Sequence, residues 1–455
     1  MRKFSLFAFV WLLLVSTGYS ADFFCAAGNV GCLISAIEVS NGNGQDNTIF
    51  LEEGEYTLRT SNGANPANGL PVITGRLRIT GPEGTGSTIE RDPTGPGFRL
   101  FEIAAGGNVI LDWLGIRNGH SNTSNNERCG GAILNRGTLA ISRSAIYKNQ
   151  TDLRSGGGIC NLGSVSITHS DIRSNITNDD SGGAIFSSGT LDVEDSFIFA
   201  NGSNNGVAIL STGTGIVLRT TISRNSAIRG AIYSSGTFWI EDSSINNNGG
   251  GAIFNSGTIT IVNTTMYHNT DGAFVPGIGG SGILNSGNVF LKNSSVISNI
   301  STPISSNPGG AAGIQNTGTI RVQNSILALN LRSNSPSDCN AITSLGNNII
   351  GSIDGCSVAL RSSDFVGDPG LGSFIEDELN YGSGHVPLMP GSPAIGHGND
   401  GTCTPRDQLG EPRHGLCDIG AVEFQDKRHD EGGDSKRRIS QDDRHDVNQH
   451  ASKGN

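Results

Sequence analysis

The most regular feature of this sequence is a repeated pattern of apolar and polar positions in its central part. Residues 130–149 read GGAILNRGTLAISRSAIYKN, and near-copies of this stretch begin at Gly156 and Gly182. Inside the first copy Leu139 and Ile141 alternate with small or polar residues. Because side chains on a strand point to opposite faces in turn, this alternation predicts β-strands that are buried on one face.

Eight such units follow one another at spacings of 21 to 31 residues, measured between the isoleucines that open them. A glycine stands four residues after each isoleucine, a serine or threonine eleven after, and an apolar residue thirteen after. Strands that recur in this way pair with their copies in the next turn, which predicts a parallel β-helix of roughly ten to twelve coils. An asparagine always stands sixteen residues after the isoleucine: Asn149, Asn175, Asn201, Asn225, Asn248, Asn269, Asn299 and Asn330.

The repeated asparagines and glycines have structural roles in this prediction. Asparagine tolerates left-handed backbone geometry at a corner, and stacked asparagine amides form a hydrogen-bonded ladder along the helix. The glycine four residues after each isoleucine is expected at a corner with positive φ. A glycine-rich phosphate loop is excluded, because the paired glycines precede a strand and no Lys-Ser/Thr motif or helix follows them.

The rest of the chain divides into segments of different composition. Residues 1–20 have the charged start and the short apolar run of a signal peptide, so we expect the mature protein outside the cytoplasm. We assign residues 21–102 to an N-terminal cap and first coils, and 103–343 to the regular coils. Residues 344–424 form a C-terminal coil and cap, and the charged residues 425–455 are predicted to be disordered.

Charge and cysteine content limit the classes of function. The net charge of −11 argues against a nucleic-acid partner and against anionic membrane surfaces. No second apolar run is long enough to span a membrane, so we do not expect an integral membrane protein. The eight cysteines have no zinc-site spacing, and an even number in an exported chain favours disulfides. Neighbours in the sequence suggest the pairs Cys25–Cys32, Cys339–Cys356 and Cys403–Cys417, whereas the pairing of Cys129 with Cys160 is left open.

Four motifs between residues 344 and 424 carry a family resemblance: SLGNNIIGSIDGC, GDPGLG, LMPGSPAIGHGNDGTC and DQLGEPRHGLCDIGAVEF. Their order and spacing resemble the tail of the bacterial choice-of-anchor Q β-helix proteins. The repeats are similar to those of pectin-lyase-like proteins and of polymorphic outer-membrane proteins and other adhesins. The resemblance implies an all-β, right-handed, single-stranded parallel β-helix with N- and C-terminal caps, in a secreted or cell-surface bacterial protein.

Candidate chemistry is sparse along the outward positions of the coils. Acidic residues concentrate in two coils, as Asp192, Glu194 and Asp195 in one and as Glu241 and Asp242 in the other. Such carboxylates can bind calcium or act as general acid and base. However, Arg219 in the coil between them occupies the column of Asp195 and Asp242, which favours a salt-bridge ladder between strands.

Further candidates are aromatic and histidine side chains. Trp239, with Tyr267, Phe197 and Phe199 on neighbouring coils, could stack against sugar rings or pack under flanking loops. His169 and Asp171 lie on one side of a predicted strand, but no serine or cysteine nucleophile accompanies them. The charged residues inside the C-terminal motifs are interpreted as holding the cap: Asp407, Arg413, Asp418 and Glu423.

Three functions remain open at this point. The sequence favours a non-catalytic protein that binds a glycan or another cell-surface component, because no convincing catalytic constellation is present. The alternatives are a lyase or hydrolase of an acidic glycan, which could use calcium, and a purely structural surface protein. Carboxylates that converge with a basic residue beside loops 270–281 and 300–311 would favour the enzyme. No cofactor or resident metal is expected otherwise.

Overall fold

A computed structural model describes residues 20–425, apart from residues 64–66, 123–128, 153–154, 179–181, 204–206, 227–228, 272–279 and 303–309. The predicted signal peptide, almost all of the charged tail and most of loops 270–281 and 300–311 therefore lie outside the described residues. Within the described part of the chain, no helix is long and apolar enough to cross a membrane.

Two sheets of thirteen strands run the length of the molecule. Sheet 1 contains Asp22–Cys25, Asp46–Leu51, Arg76–Thr80, Asn108–Asp112, Thr138–Ser142, Ser164–Thr168, Thr190–Glu194, Thr214–Leu218, Thr237–Glu241, Thr258–Val262, Asn288–Lys292, Thr319–Gln323 and Thr343–Ser344. Sheet 2 contains Glu55–Leu58, Ser87–Arg91, Leu114–Arg117, Ala145–Tyr147, Asp171–Arg173, Phe197–Phe199, Thr221–Ser223, Ser244–Asn246, Thr265–Tyr267, Ser295–Ile297, Ile326–Ala328, Ile349–Ile350 and Phe365–Val366.

Three smaller sheets complete the coils. Sheet 3 contains Phe101–Ile103, Ile133–Asn135, Ile159–Asn161, Ile185–Ser187, Ile209–Ser211, Ile232–Ser234, Ile253–Asn255, Ile283–Asn285 and Ile314–Asn316. Sheet 4 contains His120–Ser121, Gln150–Thr151, Ile176–Thr177 and Gly202–Ser203. Sheet 5 contains Ile300–Ser301, Leu331–Arg332 and Ser335–Pro336, the last two of which pair antiparallel.

The strands of sheets 1 to 4 pair in parallel with their copies in the next turn, so the chain is a parallel β-helix. From Asp46–Leu51 to Ile349–Ile350, twelve successive turns each give one strand to sheet 1 and one to sheet 2. In sheet 3 the opening isoleucines stack in register, as in the pairs Ile133 with Ile159 and Ile159 with Ile185. These isoleucines are fully buried in one continuous core. The fold class predicted from the repeat is confirmed.

The N-terminal cap is an α-helix, α1 (Val30–Asn43), that the sequence reading did not predict. The Asn29 side chain accepts a hydrogen bond from the Cys32 backbone N–H at 3.0 Å, which begins the helix. Gly44 ends it in the left-handed region with φ 66°. The helix buries Leu33, Ala36, Ile37 and Ser40, and its apolar residues belong to the main core. It therefore covers the open end of the first coils.

The asparagine ladder is present, but one reason given for it was wrong. In each coil Nδ2 donates to Oδ1 of the next ladder asparagine at 2.9–3.1 Å. The ladder ends at Asp338, whose Oδ1 accepts from N and Nδ2 of Asn330 at 3.0 and 2.8 Å. The asparagines themselves are not left-handed. The preceding residues are, with φ between 49° and 60°: Lys148, Ser174, Ala200, Arg224, Asn247, His268, Ser298 and Leu329.

The repeated glycines also have a different role from the one expected. Gly137, Gly163 and their successors are not among the residues with positive φ. Instead, a Cβ added at Gly163 would overlap the carbonyl oxygen of Gly137 in the coil below, and the same holds in each later coil. The column is therefore glycine because the backbones of neighbouring coils approach too closely for a side chain.

A second left-handed position forms the corner between sheets 1 and 2. Its residues, termed the corner column, have φ between 44° and 54° and are Trp113, Arg143, His169, Asp195, Arg219, Asp242, Asn263, Asn293 and Asn324. Except for Trp113, which Leu114 follows, each of them is followed by a serine or threonine that belongs to another ladder. For example, the Ser170 hydroxyl accepts from the Ser144 backbone N–H at 3.1 Å. The charged residues of this column thus lie at a corner, whereas the sequence pattern had predicted them on a strand.

Residues 368–424 do not simply extend the stack of coils. They run back along the outward side of sheet 2 and are termed the return segment. The Gly382 N–H donates to Thr221 Oγ1 at 2.9 Å, and the Ala421 N–H donates to Ser295 Oγ at 3.1 Å. Gly382 lies so close to the corner column that an added Cβ would be 2.5 Å from the Asp242 carbonyl oxygen. The C-terminal motifs therefore cover the side of the helix as well as its end.

Four disulfides join the described cysteines: Cys25–Cys32, Cys129–Cys160, Cys339–Cys356 and Cys403–Cys417. No described cysteine is free. Three pairs are those expected from neighbouring positions, and the fourth fastens one coil to the next. Such disulfides are typical of proteins outside the cytoplasm, where the environment is oxidising.

Candidate functional site

The outward face of sheet 1 is an open surface that carries several of the predicted site residues. The middle residue of each strand points outward, and the stacked residues at this position include Ser166, Asp192, Ile216, Trp239 and Thr260. Ile216 is 45% exposed and Trp239 is 42% exposed. The return segment lies on sheet 2, so this face is open to solvent, and in the coils of Thr190–Glu194, Thr214–Leu218 and Thr237–Glu241 it presents apolar and acidic side chains.

Trp239 is fixed in place although it is exposed. Its Nε1 donates a hydrogen bond to Glu241 Oε2 at 2.9 Å, from two residues away on the same strand. Thr260 follows Trp239 at the same position in the next coil. An indole held in this way offers a flat apolar surface beside a carboxylate, which suits a sugar ring with its hydroxyl groups.

Asp192 lies two coils from Trp239 at the same outward position, about 10 Å away at the spacing of strands. Partial burial raises the pKa of its carboxyl, and the negative charge of Glu194 raises it further. Asp192, Glu194, Glu241 and Trp239 are therefore the predicted site residues that share one open face.

Two of the acidic candidates, Glu194 and Asp195, form ion pairs with Arg219. Arg219 Nε lies 2.8 Å from Asp195 Oδ1, its Nη2 lies 3.0 Å from Asp195 Oδ2, and Nη2 also contacts Glu194 Oε1. These partners raise the pKa of the Arg219 guanidinium above its usual range despite the opposing effect of burial. The contacts match the ladder of opposite charges expected between Asp195 and Arg219, but among the described residues the ladder does not continue as an ion pair from Arg219 to Asp242.

Asp242 lies apart from the open face, beside the return segment. Its Oδ1 accepts a hydrogen bond from Asn263 Nδ2 at 2.9 Å, and Asn263 in turn donates to the Arg406 carbonyl oxygen at 3.0 Å. Burial raises the pKa of the Asp242 carboxyl to about 6. The five acidic candidates thus divide among three environments. Among the described residues, no group of three or more His, Cys, Asp or Glu side chains could hold a metal ion.

The aromatic candidates do not form the single stacking surface that the sequence had suggested as one possibility. Trp239 belongs to sheet 1, whereas Tyr267 and Phe197 belong to sheet 2. The Tyr267 ring stacks on Phe374 of the return segment, with centroids 4.2 Å apart and planes 2° apart. The Phe197 ring contacts Tyr381 at 4.6 Å. Tyr267 therefore packs under the return segment, and Trp239 stands alone as an aromatic candidate on sheet 1.

His169 and Asp171 are separated by the corner. His169 is in the corner column, where its Nε2 lies 3.9 Å from Asp195 Oδ2. Asp171 begins a strand of sheet 2, and burial raises the pKa of its carboxyl to about 6. They therefore do not form an acid–base pair.

The charged residues of the C-terminal motifs hold the return segment together. Arg413 Nη1 lies 3.0 Å from Glu423 Oε2, and the Glu423 backbone N–H donates to Asp407 Oδ2 at 2.8 Å. Asp418 Oδ1 accepts from the Gly396 N–H at 2.7 Å, and burial raises the pKa of this carboxyl. These residues have the structural role expected of them.

One cluster on sheet 2 was not singled out from the sequence. The Arg173 guanidinium carbon lies 4.5 Å from the centroid of the Tyr147 ring, and that of Arg117 lies 5.9 Å from it. The three residues occupy one outward position in consecutive coils. The sequence repeat could have revealed them. Each stands fourteen residues after the isoleucine that opens its coil, or after the equivalent isoleucine in the coil before the regular repeats.

No family model matches this sequence, and no curated protein matches it. Among solved structures, the chain is similar to the crystal structure of pectate lyase Pel9A. The TM-score is 0.46 and the sequence identity is 14%, over 89% of this chain and 96% of that chain. The fold assigned above follows from the pairing of the strands themselves.

Proposed function

We propose that this chain is an extracytoplasmic β-helix protein that binds a polysaccharide on the outward face of sheet 1 without cleaving it. The observation that carries the proposal is the exposed Trp239 indole, which Glu241 holds in the same outward column as Asp192. The resemblance of the C-terminal motifs to choice-of-anchor Q proteins supports a location at the cell surface.

The charges on this face indicate the class of polysaccharide. Asp192, Glu194 and Glu241 all lie on outward positions of sheet 1, and within the described part of the chain Glu194 is the one of the three that is paired with an arginine. Carboxylates at this density oppose an anionic chain but accept hydrogen bonds from sugar hydroxyls. We therefore propose a neutral polysaccharide as the ligand.

The arrangement of the carboxylates supports binding over hydrolysis. A glycosidase requires two carboxyl groups on opposite sides of one bond, about 5–10 Å apart. Here Glu194 and Asp195 are bound by Arg219, and Asp242 is covered by the return segment. Asp192 with its raised pKa is the residue that favours the second candidate function, an acid-catalysed cleavage of the glycan.

The test uses the full chain with a panel of neutral and uronate-containing polysaccharides, with and without calcium. Binding is measured by affinity electrophoresis and calorimetry, and chain shortening is measured by size-exclusion chromatography. We expect binding of a neutral member without shortening. Trp239→Ala should weaken this binding about tenfold, because the stacking surface is lost.

The matched control removes an aromatic ring from another sheet. Tyr233 stacks on Phe254 at 4.8 Å on the outward side of sheet 3, so Tyr233→Ala should leave the affinity unchanged. Equal weakening by both variants would argue against a site on sheet 1. Shortening of any polysaccharide would refute the non-catalytic proposal, and loss of that activity in Asp192→Asn would then identify the catalytic carboxyl.

A further inference from the structure

The return segment lies in a groove on sheet 2 that continues beyond the end of the segment. The floor of this groove is the first outward residue of each sheet 2 strand, and its sides are the corner column and the third residue of each strand. The covered part ends at Tyr381, which lies over Phe197 and has an edge contact with His169 at the corner of the preceding coil. In the three coils before that of Phe197 the floor residues are Asp171, Ala145 and Gly115.

The covered part of the groove shows how it holds a peptide carboxylate. Glu376 of the return segment accepts a hydrogen bond from Asn246 Nδ2 at 2.9 Å, and its other oxygen lies 3.3 Å from Arg224 Nη2. Glu378 lies 3.4 Å from the same guanidinium nitrogen. An acidic stretch of polypeptide therefore fits between these two donors.

Three coils earlier, cationic side chains occupy both of the positions that correspond to Arg224 and Asn246. Lys148 is the counterpart of Arg224, since both precede a ladder asparagine and both have φ 54°. Arg173 is the counterpart of Asn246 at the third position of the strand in the following coil. The repeat of the coils thus places Lys148 and Arg173 in the relation that binds Glu376 further along, about 14 Å away.

These two cations form no ion pair within the described part of the chain, although Asp171 lies near enough to Arg173 to interact with it electrostatically. Neither Lys148 nor Arg173 has a carboxylate within ion-pair distance there, whereas Arg117 beside them is paired with Glu55 and Glu90, each at 2.7 Å. Arg173 stacks on Tyr147, which fixes the plane of the guanidinium and leaves its edge available. An aromatic ring with arginine is also the composition of protein-binding hot spots.

We propose that the open end of the sheet 2 groove, lined by Lys148, Arg173 and Tyr147, binds an acidic polypeptide segment of a partner protein. The partner segment lies in continuation of the return segment, with a glutamate or aspartate between Lys148 and Arg173. This surface is separate from the polysaccharide face on sheet 1, so either proposal can fail without the other.

Asp171 gives the site a second diagnostic residue. It occupies the floor where Ser244 lies in the covered part, and its carboxylate has no hydrogen-bond partner among the described residues. An ionised Asp171 repels an acidic guest, so Asp171→Asn should strengthen binding while Arg173→Gln weakens it. A variant that merely disturbs the fold would weaken binding in both cases.

The probe is a synthetic peptide with the sequence of residues 372–383, GSFIEDELNYGS, titrated by calorimetry and fluorescence anisotropy into the full chain. We expect saturable one-to-one binding that is lost when the three acidic residues of the peptide are replaced by their amides. Arg173→Gln and Lys148→Gln should each weaken binding about tenfold or more, and Asp171→Asn should tighten it about threefold.

The matched control is Arg321→Gln, which removes an outward arginine from sheet 1 and should leave peptide affinity unchanged. Circular dichroism and melting temperature establish that each variant folds. Absence of peptide binding, or equal loss in Arg321→Gln, would overturn the proposal. Competition by an oligogalacturonide that depends on Arg173 would also overturn it, because the groove would then be a site for an acidic sugar.

Discussion

Replacing one asparagine of the ladder tests whether its amides stabilise the coils or merely accompany their stacking. Asn225 is 1% exposed and lies in the middle of the ladder. Its Oδ1 accepts from N and Nδ2 of Asn201, both at 3.0 Å. Its Nδ2 donates to the Ile198 carbonyl oxygen at 2.9 Å and to Asn248 Oδ1 at 3.0 Å. Asn225→Ala removes all four contacts.

The expected cost follows from which groups are left without a partner. Asn201 Nδ2 keeps its bonds to Ile172 and Phe199, so the Asn201 backbone N–H is the donor that loses its acceptor. A buried donor without a partner costs about 1–3 kcal/mol, and the other lost bonds add about 1 kcal/mol in net terms. We therefore expect Asn225→Ala to lower the local stability by about 2–4 kcal/mol.

Hydrogen exchange is the suitable assay, because a solenoid need not unfold in one step. The Asn201 backbone amide should exchange about 30- to 700-fold faster in the variant, which is this loss converted at tenfold per 1.4 kcal/mol. The control is Asn178→Ala, since the exposed Asn178 side-chain amide donates, among the described residues, to Asp152 alone at 3.2 Å. If Asn225→Ala changed exchange no more than this control, the ladder would contribute nothing measurable to stability.

Three other predictions concern single contacts. Burial raises the pKa of the Asp242 carboxyl to about 6 in the folded protein. Ionisation of this carboxyl therefore destabilises the fold increasingly as the pH rises above the unfolded-state pKa near 4, and the effect is complete above pH 6. Asp242→Asn should thus stabilise the fold by at most about 3 kcal/mol at pH 7.5 and by nothing at pH 3.5, as measured by calorimetry. Tyr267→Ala and Phe374→Ala should show a coupling of about 1 kcal/mol in a double-mutant cycle, and strict additivity would contradict the stacking. Gly189→Ala should lower the melting temperature strongly, because its Cβ overlaps a carbonyl oxygen of the neighbouring coil, whereas Gly63→Ala meets open space and should not.

The coils were predictable because every turn repeats the same contacts. The spacing of Ile133, Ile159 and Ile185 predicted the stacking of sheet 3, and the asparagine sixteen residues later predicted the ladder. The backbone geometry was harder to predict, because left-handed corners fall on residues such as Arg143 and Lys148. Packing between coils imposes φ at these positions, so residue type carries little signal.

Helix α1 was missed although local signals for it were present. Asn29 stands at a typical N-cap, Leu33, Ala36 and Ile37 share one helical face, and Gly44 follows the end. The residues beside the helix alternate with the period of a β-strand, and this alternation favoured a prediction of strands for the whole region. The first turn of a solenoid departs from the repeat, since it must cover the core instead of continuing it.

The site was less predictable than the fold, because its contacts join distant parts of the chain. Gly382 contacts Thr221, and Glu376 contacts Asn246 and Arg224, across separations of 130 to 161 residues. No periodic pattern links these positions. Asp242 and Tyr267 were therefore grouped with the open candidates, although the return segment covers them.

The return segment changes how the rod bears force. Pulled at one end, a plain stack of coils peels one turn at a time, because each turn is bonded only to its neighbours. Here Gly382, Gln408 and Ala421 are bonded to Thr221, Thr265 and Ser295 in different coils. These bonds lie in parallel along the axis and must shear together before the covered coils separate. Under an axial load we therefore expect the covered half to resist extension and the uncovered N-terminal half to extend first.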